Sequence, residues 1–438
     1  MRTEPSELLL IHAAELATCA PEGVPPGPRR GTDLGRVGII PDGAIACAHG
    51  RIVDIGPTRE VLSREPRGCP EIIDASGKTV LPGFVDAHTH LVFAGTRHEE
   101  HIMRIQGAKY LDILSAGGGI ISTVEATRKA SFEDLQATAT KRLDTVLLHG
   151  TTTLEAKSGY GLDLTSELKQ LEVLRAASCK HPVEVVSTLL AAHAVPPEFE
   201  GDVEGYLDFI IREVLPAVAS RRLAEFCDVF CEEGVFSTQQ AERLLLAAQR
   251  LGLRSKLHAD EINPIGGAEL AASLGAVSAD HLAAASRTGM DRLAEAGVVA
   301  VLLPATMFTL MSDRYADARG MIDRGVAVAL ATDFNPGTSP VPSMQFVLTL
   351  ACLEMKMTPA EAVSAATVNA AWAIGRGDRA GSLSPGRPAD FIVVDVPALD
   401  ALPFQIGVNC VTDVVKGGRV VVKDGRRVGS APSGDRAF

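Results

Sequence analysis

The sequence places five side chains of the kinds that bind metal ions directly after short apolar runs. They are His88, His90, His258, His281 and Asp333, and the runs before them read as four separate β-strands. Polar groups gathered from the ends of several strands form the active site of a (β/α)8 barrel. The pattern therefore predicts a barrel with one polar site at the ends of its strands.

Between residues 79 and 380, apolar strand-like runs alternate with helical stretches, which is typical of a parallel α/β core. Eight strands fit a closed barrel, which usually needs about 250 residues. We therefore expect the fold class α/β, with a metal-dependent TIM-type (β/α)8 barrel over residues 79–380. The eight strand candidates begin near Phe84, Thr151, Val183, Phe226, Arg254, Ala276, Val298 and Val326.

The two ends of the chain have a different pattern. Short runs rich in Ile and Val, bounded by Gly, Pro or Asp, occur on both sides of the barrel, and Gly417-Gly418 is a hairpin turn signal. Neither end is expected to fold alone. We expect residues 1–78 and 381–438 to join into one flanking β-sandwich domain. We assign no role to the Pro- and Arg-rich segment from Pro21 to Gly35.

The formal net charge of −12 and the pI of about 5.5 argue against nucleic acid or an anionic membrane as a partner. No apolar run approaches the length of a membrane span, and the first residues lack a secretory pattern. The eight cysteines include no C-x-x-C pair, which favours free thiols in a reducing compartment. We therefore expect a cytoplasmic protein that acts on a small molecule.

The five side chains suggest a particular kind of metal site. His88 and His90 stand two residues apart, so on a strand both imidazoles point to the same face. With His258 and Asp333 they form a ligand set suited to zinc or another divalent transition metal. Such a cation would lower the pKa of a bound water towards about 7 and polarise a carbonyl oxygen. The expected reaction is hydrolysis of an amide, lactam, amidine or similar group.

Three side chains could move protons beside that cation. Glu261 and His281 could orient the water or carry its proton to a leaving nitrogen, and Asp333 could accept the proton. Strand four ends in Cys231-Glu-Glu, without the lysine that bridges two metals in many binuclear barrels, and Lys157 follows strand two instead. We therefore expect one divalent metal per chain.

Further residues could hold a substrate at the same mouth. Arg97 stands in a long loop predicted from Leu91 to Ser122, where its guanidinium could grip a carboxylate with two hydrogen bonds. Tyr160 and His193 follow strands two and three. The turn after strand eight could offer an amide, backbone N–H groups and a hydroxyl, from Asn335, Gly337 and Thr338.

These residues lie in longer motifs, and the chain resembles the imidazolonepropionase family of the amidohydrolase superfamily. The motifs cover the chain from about Leu81 to its C-terminal strands. They are Phe93-Ala-Gly-Thr-Arg97, Gly117-Gly-Gly-Ile120, Thr151-Thr-Thr-Leu-Glu-Ala-Lys-Ser-Gly-Tyr-Gly161, Ala192-His-Ala-Val-Pro196, Asp228-Val-Phe-Cys-Glu232, His258-Ala-Asp-Glu261, Ser278-Ala-Asp-His281 and Thr332-Asp-Phe-Asn-Pro-Gly-Thr338.

The resemblance implies a hydrolase of histidine degradation. Such enzymes open the lactam ring of 4-imidazolone-5-propanoate with water and form N-formimidoyl-L-glutamate. A homodimer is implied as well. The resemblance also implies zinc or iron, held by His88, His90, His258 and Asp333.

The resemblance assigns the remaining residues to substrate and catalysis. Arg97 is implied to bind the propionate carboxylate, and Glu261 to contact the ring and help activate water. His281 is implied to be a further catalytic residue near the metal. Other residues match positions that hold the substrate, namely Tyr160, His193, Asn335, Gly337 and Thr338.

Two alternatives stay open from the sequence alone. A related deaminase or cyclic amidase of the superfamily would use the same metal set, although the Arg97 and Tyr160 segments argue against a deaminase. A non-catalytic scaffold would be expected to have lost metal ligands, and all of them are present here.

Overall fold

The structure is a computed structural model that describes residues 6–66, 68, 70–108 and 118–429. Several residues considered above lie outside the described ones. They are residues 1–5 and 430–438 of the flanking domain, Cys69, and Gly117 of the motif Gly117-Gly-Gly-Ile120. Among the helices described, none is both long enough and apolar enough to cross a membrane.

The described N-terminal residues form strands of the flanking domain. The strands are β1 (Leu8–Ala17), β2 (Ile39–Ala48), β3 (Arg51–Pro57), β4 (Glu71–Asp74) and β5 (Thr79–Pro82), with a helix over Thr58–Arg64. β1 pairs antiparallel with β2 and parallel with β4 and β5. The buried side chains of β1, such as Leu10 and Leu16, pack into a core that belongs to this domain.

Eight parallel strands of the described chain form the predicted barrel, each paired with its neighbours in chain order. Nearly all of their residues are buried on both faces, because side chains fill the interior and helices cover the outside. The strands are β6 (Phe84–Asp86), β7 (Thr151–Lys157), β8 (Glu184–Ala192), β9 (Phe226–Cys231), β10 (Arg254–Ala259), β11 (Ser278–His281), β12 (Val299–Leu302) and β13 (Ala327–Leu330).

The barrel closes just beyond the ends of its first and last strands. The amide of Asp333 donates to the carbonyl of His88 at 3.0 Å, and the amide of His90 donates to the carbonyl of Phe334 at 2.9 Å. These bonds join the segment after β6 to the segment after β13. Residues far apart in sequence are thereby brought side by side at this seam.

Helices cover the outside of the barrel. Ser237 and Gln240 form a reciprocal capping box that satisfies free N–H groups at the start of one of them. The helices predicted over residues 132–148, 165–177, 238–251 and 266–274 are confirmed to within one residue at each end.

The helices described after β6 are His98–Ile105, Ile120–Lys129, Phe132–Leu148, Leu164–Ser178, Val203–Phe209, Leu215–Ser220, Thr238–Arg250, Gly267–Ser273, Arg287–Ala296, Pro304–Thr309, Ala318–Asp323, Met344–Leu353, Pro359–Ser364 and Ala370–Ala373. Shorter turns are the 3-10 segments Gly31–Gly35, Pro197–Phe199 and Leu399–Ala401 and the π segments Ile210–Val214 and Ala365–Asn369.

The C-terminal strands complete the flanking domain. They are β14 (Phe391–Val394), β15 (Val411–Lys416), β16 (Arg419–Lys423) and β17 (Arg426–Arg427). β14 pairs antiparallel with β5, so both ends of the chain build one domain, as expected. Within the described residues the hydrogen bonds join nine strands into one continuous mixed sheet. Gly417 and Gly418 make the hairpin between β15 and β16, with φ values of 55° and 70°.

The strand β5 pairs with the flanking domain. Thr79–Pro82 hydrogen-bonds to β1 and β14 in the flanking sheet, rather than to the barrel. The sequence predicts the first domain boundary between residues 78 and 79, and we propose from this pairing that it lies between Pro82 and Phe84.

The loop predicted from Leu91 to Ser122 is wrong in part. It contains the helix His98–Ile105, and Ile120 begins another described helix; residues 109–117 of the predicted loop lie outside the described residues. Glycines around these short segments hide them in the sequence. The first helix has acidic residues in its first turn and Arg104 in its last, which suits the helix dipole.

A buried side-chain amide, that of Asn369, helps to fasten the Pro21–Gly35 segment to the barrel. The side-chain carbonyl of Asn369 accepts from the amide N–H of Arg29 at 2.6 Å. Its side-chain amide donates to the carbonyls of Arg29 at 2.9 Å and Val328 at 2.7 Å. The segment, which the sequence left without a role, is therefore a structural cover over residues near the start of β13.

The variant Asn369→Ala is expected to lower the free energy of unfolding by roughly 2 to 4 kcal/mol, because it leaves buried backbone groups without partners. Urea unfolding would measure the change. Asn409→Ala is the matched control: its amide also bonds backbone, yet it is exposed and water can replace it. Equal losses in the two variants would contradict the structural role of Asn369.

Candidate active site

The barrel brings five sequence-predicted side chains into one buried cluster. The ring centroid of His88 lies 4.5 Å from that of His258 and 5.3 Å from that of His90. The ring of His281 lies 5.1 Å from that of His258. Asp333 Oδ1 lies 3.4 Å from His90 Nε2 and 3.6 Å from His88 Nε2. Each of the five residues is at most 4% exposed, so the cluster is shielded from bulk water.

Asp333 is fixed in position and ionised. Burial alone would raise its pKa, but the hydrogen bond with His90 and the nearby imidazoles lower it on balance. The hydroxyl of Thr306 donates to its second oxygen at 2.7 Å. The backbone φ of Asp333 is 54°, a left-handed conformation that costs energy and is concentrated at functional sites.

The donor set fits a cation. Within the described residues, the buried Nε2 atoms of His88, His258 and His281 have no hydrogen-bond partner. Buried polar atoms rarely stay unpaired without something else to bind them. The ligand atoms of His88, His90 and Asp333 lie within 4.8 Å of one another, as do those of His88, His258 and His281. Both sets share His88 and therefore surround one region.

Two carboxylates stand behind the histidines. Asp280 Oδ2 lies 2.7 Å from Nδ1 of His88, and Asp228 Oδ2 lies 3.0 Å from Nδ1 of His258. A carboxylate beside Nδ1 keeps the proton on that nitrogen and leaves the Nε2 lone pair for a cation. The sequence did not predict this function for either residue. Their charge inside otherwise apolar strands is the signal that could have indicated it.

Glu261 and His281 lie next to each other, with Glu261 Oε1 3.5 Å from His281 Nδ1. Burial, and then the charge of Asp333, raise the pKa of Glu261 to about 8. Burial lowers the pKa of His281 to about 3, so that imidazole is neutral at neutral pH. The carboxyl of Glu261 can therefore gain and lose a proton near neutral pH, while His281 can act through hydrogen bonds.

The loop that carries Glu261 is held by two other carboxylates. Asp260 accepts hydrogen bonds from the amides of residues 266, 267 and 268, at the start of the following helix. Glu232 accepts from the amides of residues 262 and 263. Glu261 is therefore presented by a rigid loop, as a proton carrier requires.

Arg97 is already paired on one edge of its guanidinium. Its Nε and Nη2 each donate to the carboxylate of Glu100 at 2.8 Å. Glu100 also accepts from the amide of Gly119 at 2.8 Å. The sequence predicted that Arg97 could grip a ligand carboxylate with two hydrogen bonds, but the helix His98–Ile105 places Glu100 against its Nε and Nη2 edge. The remaining Nη1 lies against Gly337.

Tyr160 and His193 line the cluster beside His90. The His193 ring stacks on that of His90 at 5.0 Å, and the Tyr160 ring lies 5.5 Å from His193. Burial, and then the neighbouring histidines, lower the pKa of His193 well below its usual value. Its Nδ1 donates to the carbonyl of Gly159 at 3.1 Å, which leaves Nε2 as an acceptor.

The turn after β13 uses most of its polar groups internally. The side-chain oxygen of Asn335 accepts from the amides of Gly337 at 2.9 Å and Thr338 at 2.7 Å. Its amide group donates to the carbonyl of Asp333 at 2.7 Å. The sequence predicted that Asn335 could offer its amide to a ligand, whereas here the amide shapes the turn that positions Asp333 and Gly337.

Comparison with known proteins places this site in a family context. A model of the Amidohydrolase family matches residues 71–159 and 102–422. The imidazolonepropionase of Geobacillus kaustophilus is 52% identical over 421 residues, which cover 96% of this chain and 99% of that protein. The imidazolonepropionase of Alkaliphilus oremlandii is 50% identical over 398 residues, 91% of this chain and 94% of that protein.

Solved structures agree on the architecture. The crystal structure of an adenosine deaminase from Xanthomonas campestris with bound zinc superposes with a TM-score of 0.71. The match covers 98% of this chain and 96% of that chain at 21% sequence identity. At that identity the likeness supports the fold alone.

Proposed function

Because this chain belongs to the imidazolonepropionase family of amidohydrolases, we propose that it opens the lactam ring of 4-imidazolone-5-propanoate with water to give N-formimidoyl-L-glutamate. The observation that carries the proposal is the 52% identity to an imidazolonepropionase over 96% of the chain. In the reaction water attacks the ring carbonyl, the ring C–N bond breaks, and a carboxylate and an amidine remain.

One divalent cation, zinc or iron, would be held by His88, His90, His258 and Asp333. It would supply a Lewis acid for the ring carbonyl and lower the pKa of water. The other buried carboxylates near the cluster give no reason to place a second cation there. Glu155 and Asp280 could form a metal-binding set with His88, but both are ion-paired to the ammonium of Lys157. This compensation supports one metal per chain.

The substrate would bind between the cluster and the Arg97 segment. The free edge of the Arg97 guanidinium suits the propionate carboxylate, which distinguishes this substrate from an uncharged lactam. Neutral His193 and the phenol of Tyr160 would contact the ring, since both lie beside His90. Asn335, Gly337 and Thr338 would close the site from the turn after β13.

Glu261 would move the proton. With a pKa of about 8, its carboxyl can take a proton from the attacking water and return it to the departing ring nitrogen. Neutral His281, whose Nδ1 lies 3.5 Å from Glu261 Oε1, would hold that carboxyl towards the attacking water. Ionised Asp333 is an acceptor only, and it would orient the water.

We also propose that the chain works as a homodimer in the cytoplasm, without nucleic acid. The net charge of −12 disfavours a polyanion as partner. The side chains of Leu353, Phe404 and Ile406 are more than 60% exposed and give apolar surface to a second copy. Light scattering should give twice the 46.1 kDa mass of the chain.

The variant Gly337→Ala is expected to raise KM by about 10- to 100-fold, the range for losing a charge-assisted hydrogen bond. The added methyl group would overlap the Arg97 guanidinium and displace it from the site. Steady-state kinetics would separate this from kcat, which should change less. Gly35→Ala is the control, because its methyl group would meet only Glu361 at an ordinary 3.8 Å. An unchanged KM in Gly337→Ala would remove Arg97 from the proposed substrate site.

Analysis of the products tests the reaction class. Incubation with freshly generated 4-imidazolone-5-propanoate should consume it and release no ammonia. Stoichiometric ammonia would favour a deaminase instead. Conversion of simple cyclic amides, with this substrate untouched, would favour a different cyclic amidase.

A further inference from the structure

Beneath the metal-type cluster lies a buried group of charges that the proposed reaction does not use. Lys157, in β7, is fully buried, and its Nζ contacts three carboxylates from three strands. The distances are 2.8 Å to Asp228, 2.9 Å to Glu155 and 3.2 Å to Asp280. An ammonium buried without such partners would lose its charge. Burial alone would lower the pKa of Lys157, but the carboxylates raise it on balance.

Two of these carboxylates are the ones that stand behind the histidines. Asp280 contacts Nδ1 of His88 at 2.7 Å, and Asp228 contacts Nδ1 of His258 at 3.0 Å. The same ammonium therefore touches both carboxylates, and through them reaches two of the four proposed metal ligands. The contacts cross the interior of the barrel in a fixed order. They run from the segment just after β6, which carries His88, through β11, β7 and β9 to β10, which carries His258.

We propose that Lys157 is a positioning residue that fixes both ligand imidazoles at once. The inference rests on the proposed metal site. The Lys157 ammonium holds the carboxylates of Asp228 and Asp280 close together, and each carboxylate in turn fixes the orientation of one imidazole ring. Without the ammonium, Asp228 and Asp280 would repel each other and turn away from the histidines. The Nε2 lone pairs would then no longer point to one place, and metal affinity would fall.

Lys256 provides a matched control inside the same cluster. It is equally buried, and its Nζ contacts Glu155 at 3.0 Å. Its hydrogen bonds otherwise go to the backbone carbonyls of Ala87 and Ala373. It makes no ion pair with either carboxylate that touches a ligand histidine. Lys256 acts on Asp280 only through its charge at longer range. Removing that charge disturbs the core but leaves Lys157 in contact with both carboxylates that support the imidazoles.

The test is the zinc affinity of the full chain, stripped of metal and titrated against a chromophoric chelator. Lys157→Met is expected to weaken zinc binding by about 10- to 100-fold, the usual cost of losing an outer partner of a ligand. Lys256→Met should weaken it by less than about threefold, although both variants unfold at lower urea concentration. An unchanged affinity in Lys157→Met, or equal losses in the two lysine variants, would overturn the positioning role.

Failure of the proposed metal site and failure of the positioning role of Lys157 give different results. A wild-type chain that binds no divalent metal would overturn the proposed metal site, and this inference with it. If Lys157→Met does not fold, the variants Asp228→Asn and Asp280→Asn keep the volume of the core and remove one support each. Each should weaken zinc binding on the same scale, and wild-type affinity in both would overturn the proposal.

Discussion

Replacing Glu261 with glutamine should lower kcat for 4-imidazolone-5-propanoate by roughly 10²- to 10⁴-fold, the usual contribution of one positioned proton carrier. The amide keeps the size of the carboxyl but cannot take a proton from water and return it to nitrogen. Binding should change little, because the loop is held by Asp260 and Glu232 rather than by Glu261. KM should therefore stay within a few-fold of the wild-type value.

Glu233→Gln is the control for this prediction. Glu233 is exposed at the end of β9 and has the same chemistry without the buried position. Its variant should retain wild-type kcat. If Glu261→Gln also keeps kcat within about threefold, the proton is carried by another group, since a general acid or base is worth at least tenfold more than that.

The variant His258→Ala should lose its metal and reduce turnover to about a thousandth or less, because a lost Lewis acid raises the barrier by several kcal/mol. His258 joins two parts of the site, since its ring lies 4.5 Å from that of His88 and 5.1 Å from that of His281. Its removal also leaves Asp228 without its imidazole. Metal analysis after dialysis and steady-state kinetics would measure the two effects together.

A histidine outside the site provides the comparison. His149 is half-buried after the helix Phe132–Leu148 and contacts none of the clustered rings. His149→Ala should keep its metal and its turnover, even if it is less stable. Retention of metal by His258→Ala, with full activity, would place the cation elsewhere.

The barrel and the main members of the cluster could be predicted from the sequence for one physical reason. Parallel strands of a barrel end at the same rim, so a polar residue after each apolar run must lie near the others. His88, His258 and Asp333 satisfy this rule without any knowledge of strand pairing. The alternation of strand-like and helical runs predicted the eight strands, and the short Ile- and Val-rich runs at both ends predicted a shared flanking domain.

The supporting charges could not be predicted in the same way. Lys157, Asp228 and Asp280 come from different strands, and their contacts depend on the tilt and stagger of the closed barrel. In the sequence Asp228 and Asp280 each look like an isolated charge among apolar residues, and Lys157 stands two residues from Glu155 in a Thr-rich strand. Glu100 was missed for another reason: a short helix between glycines reads as a loop, so its carboxylate was not expected beside Arg97.

The most direct test of the central claim is to follow water into the product. The reaction would be run in water enriched in heavy oxygen, and the product fragmented in a mass spectrometer. We predict N-formimidoyl-L-glutamate with one heavy oxygen, located in the carboxylate next to the substituted nitrogen, because water attacks the ring carbonyl. Heavy oxygen on a formyl carbon would mean attack on the other ring carbon. That result, or an unconsumed substrate with metal-replete protein, would contradict the proposed function.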